Sequence, residues 1–120
     1  MILADTSVWV EHFRRGLPAL AQRLNASQIA CHPVVIGELA CGNLARRAHT
    51  LAWLQHLPRV PERSAAETMS FLESHRLHGR GLGWSDMQIL AAAHAASLPL
   101  WTLDRRLAEA AHSLGLGTTI

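Results

Sequence analysis

The chain has 120 residues, 49% of them hydrophobic, enough for a single domain that buries roughly two-thirds of the surface its unfolded form exposes. Its 11 basic residues are all arginine, set against nine acids for a formal charge of +2, and lysine and tyrosine do not occur. No apolar run approaches the ~20 residues needed to span a bilayer, and the N-terminus lacks the basic segment and cleavage pattern of a signal peptide, so a cytoplasmic protein is expected and a membrane partner is not.

The stretch ILADTSVW, residues 2–9, is a short apolar run stopped by one aspartate and followed by two hydroxyl residues. It predicts a buried strand over 2–5 that feeds a helix near 7–14. Pro18 suits the first turn of a second helix, near 18–25, with Leu20 and Leu24 on one face. A strand near 28–31 ends at His32-Pro33 and gives way to a helix from about 34 to 43. Another helix, near 46–57, precedes a break from Pro58 to Pro61. Ser64 with Glu67 three residues later is a capping-box signature for a helix running to about 78. The glycine-rich turn HGRGLG follows, then a helix from Ser85 or Asp86 to Ser97. Pro99 opens the strand LWTL, which ends at Asp104; a helix near 105–114 and a last strand near 118–120 complete the chain. Short strands alternating with helices predict an α/β fold with a mainly parallel sheet covered on both faces.

The chain contains three aspartates, Asp5, Asp86 and Asp104, and each precedes an expected helix. N-capping alone can explain any one of them. Asp5 and Asp104 also follow apolar strands, and in a parallel sheet such strand ends share one edge, where α/β proteins place their sites. Glu38 has no capping explanation. Within PVVIGELACG it is four residues after Val34 and three before Cys41, which puts it on the apolar stripe of its helix. A carboxylate there needs a charged partner, and no basic residue lies within a helical turn. A divalent ion held by converging acids is the natural one; a distant arginine is the rival.

Hard carboxylate oxygens suit Mg²⁺ or Mn²⁺, which keep several waters and need few protein ligands. Such an ion acidifies a bound water and stabilises the leaving oxyanion of a phosphodiester. Setting the four acids aside leaves 11 arginines against five acids, a basic surface around an acidic hole that suits a polyanion. The eight histidines show no zinc or acid–base spacing, and His75-x-x-His78 reads as a solvated helix end. Cys31 and Cys41 read as buried thiols rather than a disulfide.

Four motifs, ILADTSVW, VVIGELACG, DMQILAAA and LWTLDRRL, occur in this order over essentially the whole chain. In them the sequence resembles PIN-domain nucleases, and within these the small VapC-type toxins of toxin–antitoxin pairs. The resemblance implies a PIN-like three-layer α/β/α sandwich and an Mg²⁺- or Mn²⁺-dependent RNA endonuclease. It also implies inhibition by a cognate antitoxin, and often a homodimer. It carries catalytic and metal-holding roles onto Asp5, Glu38, Asp86 and Asp104, and a supporting role onto Ser7 and Thr102.

Arg76, Arg80, Arg105 and Arg106 are the candidates for RNA contact, together with the glycines at 79, 81 and 83. Trp84 could stack a base, although a core position is the simpler reading. In the helix near 46–57, Leu51, Trp53, Leu54 and Leu57 cannot share one narrow stripe, which turns Trp53 toward its edge and makes it a candidate antitoxin contact. An aspartyl-phosphate enzyme built on Asp5 would want a lysine and a second acid where Ser7 stands. A processing nuclease without an antitoxin, and a non-catalytic RNA-binding module, remain open alternatives.

Overall fold

In the computed structural model, residues 1–118 are described. They form a sheet of three parallel strands and seven helices: β1 (Ile2–Ala4), α1 (Thr6–Arg15), α2 (Pro18–Asn25), β2 (Ile29–Ala30), α3 (Pro33–Cys41), α4 (Arg47–Leu54), α5 (Ala65–Ser74), α6 (Trp84–Ala96), β3 (Leu100–Trp101) and α7 (Arg105–Ser113). The strand order is β2-β1-β3, with Leu3 beside Ala30 on one side and Leu100 on the other. Every residue of the three strands is buried, as expected where helices cover a parallel sheet. The α/β architecture read from the sequence is therefore the observed one.

Around β1 the core gathers Val8 and Trp9 from α1, Val35 and Leu39 from α3, Leu107 and Ala110 from α7, and the apolar face of α6. α6 runs through the middle, with Met87, Ile89, Leu90 and the three alanines at 91–93 all buried. It packs against both α5 and α3, and α1 packs against α3. No helix among the described residues is long and apolar enough to cross a membrane.

Several boundaries differ from the sequence reading, each for a local reason. The strands are shorter: Asp5, Thr102 and Leu103 leave the sheet to cap or approach helices. The Pro58–Pro61 segment is more than a break. The Cys31 N–H donates to the Pro58 carbonyl at 2.8 Å and the Val60 N–H to the Cys31 carbonyl at 2.9 Å, so the segment runs parallel beside β2. Proline is tolerated there because the segment forms an edge. α5 stops at Ser74, not 78: Arg76 adopts a left-handed φ of 51°, and the Leu77 N–H closes back on the Leu72 carbonyl at 3.1 Å. This helix-ending motif normally uses glycine, so the sequence carries no signal for it. Cys31 is buried but Cys41 is exposed, and both are free thiols. Of the strand expected near 118–120, Thr118 belongs to no regular element, and residues 119 and 120 lie outside the described residues.

Candidate active site

β1 delivers Asp5 to the start of α1, and Asp5 has the extended backbone of an N-cap. Its Oδ1 accepts from the Ser7 N–H at 3.1 Å and from the Ser7 hydroxyl at 2.6 Å. Its Oδ2 accepts from the Thr102 hydroxyl at 2.7 Å. The same two hydroxyls hold the chain leaving β3: Ser7 Oγ accepts from the Leu103 N–H at 2.9 Å, and Thr102 Oγ1 from the Asp104 N–H at 3.0 Å. Ser7 and Thr102 thus tie the ends of two adjacent strands together through one carboxylate.

Asp5 is only 5% exposed. Burial pushes its carboxyl above the ordinary 3.8, while the hydrogen bonds from Ser7 and Thr102 hold the rise down. No guanidinium pairs with it among the described residues. A buried carboxylate without a cation is costly, and is a functional-site candidate on that ground.

The other acids occupy different local settings. Asp104 is the N-cap of α7, its Oδ1 accepting from the Arg106 N–H at 2.9 Å and the Leu107 N–H at 3.3 Å. Asp86 is not an N-cap. Gly83 takes that position, and Asp86, three residues on, reaches back to accept the Gly83 N–H at 3.1 Å on Oδ2. Glu38 is not on the buried stripe. That stripe is Val35, Ile36 and Leu39, and Glu38 stands exposed at its margin, its Oε1 accepting from the Thr6 hydroxyl at 2.6 Å. Thr6, next to Asp5, is the residue the sequence reading missed; only its adjacency to Asp5 could have flagged it.

Among the described residues, no three His, Cys, Asp or Glu side chains stand close enough together to hold one metal ion. The acids are instead linked through their neighbours: Glu38 to Asp5 by Thr6, Asp5 to Asp104 by Thr102. Asp86 instead holds the end of the glycine loop at Gly83, and within that loop the Arg106 side chain lies so close over Gly81 that a Cβ there would come within 2.5 Å of Nη1. Ion pairs among the described residues involve Glu11, Glu67 and Glu109, and none of these four acids. Hard oxygen donors without basic partners fit Mg²⁺ or Mn²⁺, which draw on one or two carboxylates and complete their shell with water.

Of the four candidate arginines, Arg105 pairs with Glu109 at 3.3 Å on the surface, and Arg106 lies over the glycine loop. Arg76 ends α5 and Arg80 is exposed within the loop. Trp84 is not a core residue: it is the first residue of α6 and 44% exposed. Trp53 is 41% exposed and meets the buried Trp9 edge to face, ring centres 5.9 Å apart.

The family model described as "PIN domain" matches residues 2–113. The chain is also 39% identical, over 97% of its length and 94% of theirs, to the protein named "Ribonuclease VapC32" in two strains of Mycobacterium tuberculosis. With its parallel sheet, its acids at the strand and helix ends, and this similarity across nearly the whole sequence, the chain belongs to the PIN-domain family, in its VapC branch.

Proposed function

We propose that this protein is an Mg²⁺- or Mn²⁺-dependent RNA endonuclease and the toxin of a toxin–antitoxin pair. The ribonuclease name of its VapC relatives supports the reaction class. The observation that carries the metal-dependent reading is Asp5: a carboxylate buried at the edge of the sheet, fixed by two hydroxyls and without a basic side chain paired to it among the described residues. Of Asp5, Glu38, Asp86 and Asp104, one or two would bind the ion directly and the others through its waters; when bound, the ion would acidify water for attack on a phosphodiester and stabilise the leaving oxygen.

The chain's own residues do the positioning. Ser7 and Thr102 fix both oxygens of Asp5 and keep them from rotating. The N-terminus of α7 holds Asp104 in place, two of its N–H groups donating to Oδ1. Thr6 restrains Glu38, which is otherwise free to swing on an exposed helix face. A cognate antitoxin is the expected inhibitor, a homodimer the expected assembly and the cytoplasm the expected location.

The test is cleavage of total RNA with mapped ends, using wild type and Asp86→Asn with Mn²⁺ or with chelator. Cleavage by the wild type in Mn²⁺ alone supports the reading. Full cleavage in chelator, or by Asp86→Asn, overturns the metal mechanism. Binding of RNA without any cleavage identifies a non-catalytic module.

A further inference from the structure

We propose that Trp84 and Arg106 form a platform for one unpaired nucleotide of the RNA, Trp84 stacking on its base and Arg106 meeting its phosphate. The proposal rests on the ribonuclease reading and gives that substrate a form: single-stranded at the point of contact.

Trp84 stands two residues before Asp86, on the first turn of α6, with 44% of its surface exposed. The loop preceding it folds against α7. Gly81 has a left-handed φ of 77° and leaves the space that Arg106 fills, with a would-be Cβ only 2.7 Å from Arg106 Cδ. Glycine is needed there twice, for its backbone and for its missing side chain. Arg106 in turn follows Asp104, whose Oδ1 holds its N–H at 2.9 Å. The indole and the guanidinium are therefore brought to the same loop, each within two residues of a candidate acid. Leu103, 52% exposed immediately before Asp104, adds apolar surface at this edge.

Chemistry selects the occupant. No carboxylate pairs with Arg106 among the described residues, whereas Arg105 is engaged by Glu109. A guanidinium without an acid partner among the described residues, packed on the loop that leads to an exposed aromatic face, matches a phosphate and a base, and tryptophan stacks on any base whose face is open. Bases in a duplex have no open face, so the platform favours single strands.

The test is binding of a short end-labelled RNA of mixed sequence, in chelator so that it stays intact, followed by fluorescence anisotropy. The same RNA annealed to its complement is the comparison. Wild type binds the single strand more tightly than the duplex. Trp84→Ala weakens single-strand binding about tenfold and leaves duplex binding unchanged, and Trp84→Phe recovers most of the loss. Arg106→Ala weakens both and lowers the slope of log affinity against log salt by about 0.7. Equal binding by Trp84→Ala and wild type overturns the proposal, as does an equal loss on both RNAs. An altered oligomeric state in Trp84→Ala with RNA binding intact makes the indole a protein contact instead. Failure of the ribonuclease reading is distinguishable, because the wild type then fails to cut RNA in Mn²⁺ whether or not Trp84 contributes to binding of the single strand.

Discussion

Burial raises the Asp5 carboxyl above its ordinary 3.8, so ionising it in the fold works against that burial. Because its folded pKa is raised, its contribution to stability is fully present below the unfolded value near 3.8 and is lost as pH rises through the folded value. Asp5→Asn should therefore raise the melting temperature of the metal-free protein at pH 7 and abolish cleavage, with the thermal gain vanishing near pH 3. Thermal unfolding at the two pH values checks it; a lower melting temperature at pH 7 would mean that the charge itself is needed by the fold. Glu38→Gln should be nearly neutral for stability, since glutamine keeps the oxygen that accepts from Thr6 and the position is exposed. Thr6→Val should slow cleavage while Thr6→Ser preserves it, if that hydroxyl aims Glu38. The four acids stand out in the sequence because each marks a strand or helix junction or interrupts an apolar helix; their shared role is the proposal. The exposure of Glu38 was not legible: over nine residues the 3.6-residue period cannot distinguish the middle of a stripe from its margin.

At the scale of elements, α3 depends on His32. The imidazole Nδ1 accepts the Val34 N–H at 3.0 Å, capping the helix that carries Glu38. Burial pulls His32 below its ordinary 6.5, so it is neutral in the fold, and a protonated ring could not accept that bond. Stability from this group is present above the unfolded pKa and lost as pH falls through the lowered folded value. The denaturant midpoint should drop between about pH 7 and about pH 5, and His32→Asn, which can still cap, should flatten that drop. An unchanged pH profile in the variant would assign the titration elsewhere. At the glycine loop, Gly81→Ala should cost about 1–2 kcal/mol from its left-handed backbone alone and should also displace Arg106. The loop's turn was readable from its glycines, but its docking on α7 was not, because sequence spacing says nothing about which distant side chain fills the gap. The exposure of Trp84 followed from the same blind spot: with Gly83 unrecognised as the cap, the helix was expected to begin later and the indole to turn inward.

For the molecule as a whole, a parallel sheet follows from alternating apolar runs and helices, whereas its order β2-β1-β3 does not, and the added edge at Pro58–Val60 is hidden by its proline. The exposed Trp53, edge to face with Trp9, is the expected antitoxin contact, and the exposed Phe13, stacked on Trp9, extends the apolar surface there. Trp53→Ala should weaken antitoxin binding in a pull-down while sparing cleavage; unchanged binding would relocate that interface. The central proposal is that the four acids, which do not touch, serve one divalent ion, one or two of them directly and the others through its waters. The most direct measurement is the shift in melting temperature on adding Mn²⁺ to wild type, Asp5→Asn, Glu38→Gln, Asp86→Asn and Asp104→Asn. A ligand that binds only the native state must stabilise it. The account predicts a clear upward shift for wild type and a smaller or absent one for every variant; shifts equal to wild type in all four variants would contradict it.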